Sequence, residues 1–133
     1  MTAKEWLMRG WKIDREINAL LQAKQSTWDR LTSVTASYAG DPVQAESDPH
    51  KYDCIIELDA NIDRKIDQLV GIKTEIVDGI AQIDDARYRT LLTARYVSYK
   101  TWEQIAVELN YSWRQVHRLH GQALLEMERI IMA

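Results

Sequence analysis

The sequence predicts an all-α protein, in which a long antiparallel helical hairpin of coiled-coil type is followed by a helix-turn-helix domain. Two long stretches, residues 2–38 and 51–84, repeat apolar side chains every seven positions. Residues 39–50 lie between them and contain one Gly and two Pro, which predicts a loop. Residues 101–120 contain two helix-start signals close together, as two short helices joined by a tight turn would.

The length and the cysteine content limit the kind of protein this can be. A chain of 133 residues suffices for one core-forming domain, or for a small domain with an extended element. Cys54 is the only cysteine, so an internal disulfide is impossible and a reducing compartment fits. There is no long apolar run and no signal-peptide pattern at the start. We therefore expect a cytoplasmic protein with no membrane partner.

The charge is distributed unevenly along the chain. Residues 1–85 hold ten Lys and Arg against sixteen Asp and Glu, a net charge of −6, whereas residues 86–133 hold seven against four, a net charge of +3. His117 and His120 would add positive charge near a phosphate backbone. A nucleic-acid module attached to an acidic scaffold shows such asymmetry, although a basic patch can also be inert. We assign residues 1–85 to an oligomerising hairpin and residues 86–133 to a DNA-binding domain.

The first long helix is predicted over residues 2–38. Its seam consists of two rows at heptad spacing: Trp6, Ile13, Leu20, Thr27 and Val34, and Gly10, Ile17, Lys24, Leu31 and Tyr38. Gly10, Lys24 and Thr27 are the weak points of this seam.

The second long helix, residues 51–84, has the stronger pattern. Its rows are Ile55, Ile62, Leu69, Ile76 and Ile83, and Asp59, Ile66, Lys73 and Ile80. Such narrow stripes give a two-helix hairpin little core, so we expect it to pair with a second copy, most simply as a homodimer. Lys24 and Lys73 have two interpretations: their ammonium groups reach water past apolar surface, or they fix register and oligomeric state.

The C-terminal part contains three predicted helices. The first covers residues 86–97 and would pack through Tyr88, Leu91, Leu92, Ala94 and Tyr96. The next two begin with capping boxes, in which Thr101 pairs with Gln104 and Ser112 pairs with Gln115. Asn110 lies between them and tolerates the left-handed conformation of a tight turn. The core of the pair would contain Ile105, Ala106, Leu109, Tyr111, Val116 and Leu119.

Six residues would point outward from the last helix, and a DNA major groove would receive that face. They are Ser112, Trp113, Arg114, Gln115, His117 and Arg118. Arg114 suits guanine and Gln115 suits adenine, while His117 and Arg118 would reach bases or flanking phosphates. Lys100, Thr101 and the amide groups at the following helix start are candidate phosphate contacts.

Each of these side chains also has a purely structural interpretation. Arg114 and Arg118, four residues apart, could be a solvated pair on any surface helix. Trp113 could stack on a sugar or fill a gap between helices. His117 and His120 could begin a metal site, but no third ligand is near in sequence, and we expect both to be solvated.

The sequence contains no motif that indicates catalysis. There is no phosphate-binding loop, Gly-rich turn, metal-ligand cluster or Ser-His-Asp arrangement. The many acidic residues of the hairpin are typical of solvated helix faces. We therefore expect a protein that is not an enzyme and that needs neither a cofactor nor a metal.

The C-terminal part resembles region 4 of sigma-70-type factors in three stretches, residues 88–96 (YRTLLTARY), 100–106 (KTWEQIA) and 116–124 (VHRLHGQAL). More narrowly, the chain is similar to small phage and prophage proteins of this kind, the group of ArpU-type late transcription regulators. Residues 1–5 (MTAKE) and 62–76 (IDRKIDQLVGIKTEI) also resemble the helical N-terminal part of that group. The resemblance implies binding of double-stranded DNA by the second helix of the motif, and a role in phage gene expression near the host nucleoid. Trp113 stands where the group usually has a small or polar residue.

Three functional hypotheses follow. The chain could be a dimeric transcription regulator that binds two DNA half-sites. It could instead be a DNA-packaging component resembling terminase small subunits, which would form ring-like higher oligomers. Alternatively, the sigma-like domain could bind RNA polymerase rather than DNA, in which case replacing Arg114 and Arg118 would leave DNA affinity unchanged.

Overall fold

The computed structural model describes residues 1–37 and 48–133, with side chains as far as residue 33 in the first range. Every regular element in these ranges is an α-helix, so the all-α class is confirmed. The helices are α1 (Ala3–Leu7), α2 (Arg9–Ser37), α3 (Asp53–Ile80), α4 (Ala86–Tyr96), α5 (Trp102–Leu109) and α6 (Trp113–Met132). Most of the predicted loop, residues 39–47, lies outside the described residues, as do Tyr38 and the side chain of Val34. None of the helices described is long and apolar enough to cross a membrane.

The N-terminal helix is not continuous, and the prediction of one helix over residues 2–38 was wrong. Thr2 caps α1 through a capping box with Glu5, and the chain leaves the helix at Met8 before α2 begins. The break has a packing reason, because α1 buries Ala3 and Leu7 in the same core as α6. A helix governed by the heptad seam alone would not require this interruption.

The helix α3 ends at Ile80, four residues before the predicted end at residue 84. Its last turn closes through bonds from the amides of Ala81 and Ile83 to the carbonyls of Val77 and Ile80. Arg89 then donates from Nη1 to the Ile83 carbonyl, 2.6 Å away, and to the Asp84 carbonyl, 2.8 Å away. Ile83 is therefore buried as its heptad position predicts, although it lies outside the helix.

The chain divides into two compact units, residues 1–13 with 69–133, and residues 14–68. The first unit has one continuous apolar core, formed by Ala3, Leu7, Ile76, Ile80, Ile83, Leu91, Leu92, Tyr96, Ile105, Val116, Leu119, Ala123 and Met127. This unit is larger than the predicted domain of residues 86–133, because α1 and the end of α3 supply part of its core.

The second unit contains the greater part of α2 and the first part of α3. Ile17, Ile55 and Ile62 are buried as their heptad positions predict, but Ile66 is 40% exposed, contrary to its place in the seam. Two ion pairs join the helices: Lys24 with Asp59, at 2.5 Å, and Glu16 with Lys65, at 2.6 Å. The rings of Trp28 and Tyr52 also meet, with centroids 5.7 Å apart.

Both seam lysines have partners. Lys24 bonds to Asp59, the acidic residue in the facing seam, and its side chain stays 37% exposed. In the first unit, the ammonium group of Lys73 lies 4.8 Å from the centroid of the Tyr99 ring. Neither ammonium group is sealed in the core, which agrees with the interpretation that they reach water.

Gly10, a weak point of the predicted seam, is required by close packing. A Cβ added there would lie 2.7 Å from the Tyr99 hydroxyl and 3.5 Å from Leu69. Tyr99 itself has a φ of 57°, in the left-handed region that few non-glycine residues adopt. The absence of a side chain at Gly10 thus makes room for the segment that precedes α5.

Candidate nucleic-acid interface

Two reciprocal capping boxes begin α5 and α6, as the sequence predicts. The hydroxyl of Thr101 accepts from the Gln104 amide at 3.2 Å, and the Gln104 side chain accepts from the Thr101 amide at 2.9 Å. Ser112 and Gln115 repeat the arrangement at 3.2 and 2.8 Å. Asn110 ends α5 with φ 58° and ψ 43°, the left-handed conformation expected of it.

The buried side of this helix pair also agrees with the prediction. Ile105 and Val116 are completely buried and Leu119 is 7% exposed, while Ala106, Leu109 and Tyr111 pack against the same core. These contacts fix α6 against α5 and α4, so the outward side of α6 is set by its helical period.

The outward side of α6 contains Arg114 and Arg118. Successive residues of a helix turn by about 100°, which places these two side chains opposite the buried Val116, Ala123 and Met127. Both arginines are exposed, and neither has a hydrogen-bond or ion-pair partner among the described residues. Two adjacent cationic groups without acidic partners form a suitable contact for an anionic ligand.

Trp113 is half-exposed and packs on a neighbouring side chain of its own helix. Its side chain is 54% exposed at the start of α6. Its ring centroid also lies 4.2 Å from that of His117, one turn later. One part of the indole therefore packs on His117 while the rest is exposed to solvent.

The two histidines differ from the prediction that both are solvated. His120 is only 9% exposed, and its Nε2 lies 2.7 Å from the Tyr96 hydroxyl. Burial, aided by the positive charges of Lys4, His117 and Arg95, lowers the pKa of His120 to about 4. His120 is thus neutral at pH 7 and adds no charge for DNA. The helical period could have shown this, because residues 116, 120, 123 and 127 share one side of α6.

His117 belongs to an aromatic cluster that the sequence analysis missed. Its ring centroid lies 5.0 Å from that of Trp102, and the His120 ring lies 4.6 Å from the same indole. His117 is half-buried, and its Nε2 has no hydrogen-bond partner among the described residues. The guanidinium carbon of Arg95 lies 4.5 Å from the centroid of the Trp102 ring, and Nη1 of Arg95 donates to the Lys100 carbonyl at 2.9 Å. The cluster holds the start of α5 beside the first turns of α6.

The predicted phosphate contacts, Lys100 and Thr101, lie at this start of α5. The Lys100 ammonium pairs with Glu108 at 2.7 Å and its side chain is 37% exposed. The Thr101 hydroxyl oxygen accepts a hydrogen bond in its capping box, and its O–H can still donate. A phosphate at Lys100 would share the ammonium group with Glu108.

Within residues 1–37 and 48–133 there is no group of three or more His, Cys, Asp or Glu side chains that could hold a metal ion. Cys54 is a free, exposed thiol on α3.

These elements define an all-α protein whose last helix is exposed over its first turns. The chain belongs to the family described as a protein of unknown function, DUF1492, whose model matches residues 32–128. That span includes the whole of α3, α4 and α5 and most of α6. Comparison with curated proteins gives no match, and comparison with solved structures gives none either.

Proposed function

We propose that this protein is a sequence-specific DNA-binding regulator of transcription, of the phage or prophage type, in which α5 and α6 act as a sigma-region-4-like helix-turn-helix. The observation that carries the proposal is the outward side of α6, where Arg114 and Arg118 are exposed without partners beside the half-exposed Trp113. A helix with cationic and amide side chains on its first turns suits the DNA major groove.

Arg114 is the strongest candidate for base recognition. Its free guanidinium can donate two hydrogen bonds to the O6 and N7 acceptors of guanine. Gln115 is less free than the sequence suggests, because its side-chain oxygen accepts from the Ser112 amide at 2.8 Å. It can donate to a base from its amide nitrogen, but to pair with adenine through both groups its oxygen must accept a second hydrogen bond beside the cap.

A selection from random duplex DNA with the purified full-length chain tests this function. We expect a defined sequence to be enriched, with an affinity that falls as salt rises because bound phosphates release counterions. Arg114→Gln should change the preferred base at one position and weaken binding by about 1–3 kcal/mol. Arg129→Gln is the matched control, since Arg129 lies in the last turn of α6, paired with Glu126.

Two outcomes would oppose the proposal. If no sequence is enriched even at low salt, the protein is not a sequence-specific DNA-binding regulator. If DNA affinity survives replacement of both Arg114 and Arg118, α6 is not the DNA contact. Capture of RNA polymerase by that double variant would then favour a polymerase-binding module.

We further propose that α2 and α3 form an antiparallel hairpin through which two copies associate as a homodimer. Its support is a set of large apolar side chains left exposed in the second unit, where Leu21 is 45%, Trp28 is 44% and Ile56 is 63% exposed. Sedimentation measurements over a range of concentrations test whether the chain is a dimer. If it is, the selected DNA should contain two half-sites about 10 base pairs apart, or a multiple of that spacing. A monomer at all concentrations would refute the dimer, and rings of many copies would favour a DNA-packaging protein.

A further inference from the structure

A polar cleft of about 410 Å³ lies between α6 and the start of α4. We call it the α4–α6 cleft, and its lining consists of Arg87, Tyr88, Tyr111, Gln115, Arg118, Leu119 and Gln122. None of the residues that line it is acidic, and two of them are arginines. The cleft is therefore electropositive, with hydrogen-bond donors in excess.

The amide oxygens of the cleft each accept a hydrogen bond from within the protein. The Gln115 oxygen accepts from the Ser112 amide at 2.8 Å. The Gln122 oxygen accepts from the Tyr88 hydroxyl at 3.2 Å. The NH₂ group of each glutamine has no hydrogen bond among the described residues, and this group can only donate. The lining thus combines donors with positive charge, the combination that suits an oxyanion.

Arg87 is held in place at the edge of this cleft. Its Nε and Nη2 donate to the carboxylate of Asp85 at 3.2 and 2.8 Å, and the same carboxylate accepts from the Arg87 amide as the N-cap of α4. No hydrogen bond from Nη1 of Arg87 is formed with the described residues, so one amino group of the guanidinium is left to donate. Because Asp85 offsets one positive charge and Arg118 is unpaired, the three groups carry a net charge of +1, which complements one phosphodiester.

The position of the cleft fits a helix lying in a DNA groove. On one flank of α6, the His117 ring meets Trp102 at the start of α5, and the Trp113 ring packs on His117. On the other flank, Gln115 and Gln122 face the start of α4. A helix inserted in the major groove has a phosphate chain on each side, so each flank faces one strand.

We propose that the α4–α6 cleft binds one backbone phosphate of the DNA, on the α4 side of the groove entered by α6. Arg87 and Arg118 supply the charge, and the amide nitrogens of Gln115 and Gln122 supply further hydrogen bonds. This inference rests on the proposed DNA-binding function and adds a contact that is independent of base sequence. It assigns Arg87, Tyr88 and Gln122 to the interface, although none of them lies on the outward side of the first turns of α6.

The test measures affinity for a selected duplex and for an unrelated duplex across a salt series. Arg87→Gln should weaken binding to both by a similar factor, roughly tenfold. It should also reduce the slope of log affinity against log salt by about one, because one phosphate contact is lost. The preferred sequence should not change. Arg129→Gln, on the last turn of α6, should leave both the affinity and the slope as they are.

A second variant keeps the test independent of the Arg87–Asp85 contact. Gln122 is exposed on α6, and Gln122→Glu places a carboxylate in the cleft. Because this carboxylate repels phosphate, the variant should bind both duplexes more weakly at low salt. Its helical content and thermal midpoint, measured by circular dichroism, should match those of the unaltered chain.

The outcomes separate the two proposals. If the unaltered chain binds no duplex selectively, the proposed function fails. If it binds selectively, but Arg87→Gln and Gln122→Glu both keep its affinity and salt slope, the function stands and the cleft is not a phosphate site. If inorganic phosphate alone protects the unaltered chain against heating and Arg87→Gln abolishes this protection without affecting duplex binding, the cleft binds a free anion, and the DNA contact is refuted.

Discussion

The Tyr96 hydroxyl lies 2.7 Å from Nε2 of His120, inside the core where α4 packs on α6. The two rings are stacked with centroids 5.8 Å apart, and Trp102 meets His120 with its edge. An ionisable side chain in such a position makes the stability of the fold depend on pH.

We expect the fold to lose stability as the medium becomes mildly acidic. The pKa of His120 is about 4 in the folded chain, below its ordinary value of 6.5. The unfolded chain therefore takes up a proton first, and stability that is fully present above pH 6.5 is lost as the pH falls towards 4. The loss should approach about 1.4 kcal/mol per pH unit. Urea unfolding at several pH values measures it.

A comparison of histidine variants identifies the residue responsible. His50→Gln alters an exposed histidine whose side chain is 77% accessible, and it should keep the decline in stability between pH 6.5 and 5. His120→Gln should flatten that decline. An unchanged slope in His120→Gln would show that another group causes the acid sensitivity.

Removing the hydroxyl of the pair should destabilise the fold at every pH. Tyr96→Phe leaves the buried Nε2 of His120 without its partner, at a cost of about 1–3 kcal/mol. Because burial raises the pKa of Tyr96 to about 12, the phenol remains protonated through the neutral range and the effect should not vary with its ionisation. Urea unfolding at pH 7.5 gives the difference, and equal stability of the two chains would contradict a structural role for this bond.

Substitutions at Ser112, the N-cap of α6, should separate an effect on stability from an effect on DNA binding. Ser112→Ala removes the acceptor for the Gln115 amide and should cost about 1 kcal/mol. Ser112→Asp preserves the cap and should keep the thermal midpoint, but its charge should repel the DNA backbone and lower affinity. Ser26→Ala, on an exposed position within α2, is the matched control and should change neither property. A cap role is refuted if Ser112→Ala unfolds at the same temperature as the unaltered chain.

Two glycines of the first unit should respond to alanine in opposite ways. At Gly79 a Cβ would lie 2.8 Å from the Met127 methyl group and 2.9 Å from the Trp6 ring, so Gly79→Ala should destabilise the fold by about 1–3 kcal/mol. At Gly121 nothing lies within 4 Å, and alanine should stabilise α6 by roughly 0.5–1 kcal/mol. Thermal unfolding measured by circular dichroism compares them. A stabilising Gly79→Ala would mean that Trp6 and Met127 move apart readily.

The sequence by itself determined the local features of this protein. The heptad rows gave the positions of α2 and α3, and Ile55, Ile62 and Ile76 are buried where the period places them. The capping boxes at Thr101 and Ser112 gave the starts of α5 and α6. Such signals can be read directly because a cap or a helical period involves residues within about four positions of one another.

Only the tertiary structure decided the features that depend on contacts distant in sequence. The helix is interrupted at Met8, where α1 packs into the core that α6 shares, and His120 is buried against Tyr96 and Trp102. The cleft arises where the start of α4, which supplies Arg87, lies beside α6, which supplies Arg118. Burial, and with it pKa and the availability of a charge, is a property of the packed neighbours, which helical periodicity alone does not specify.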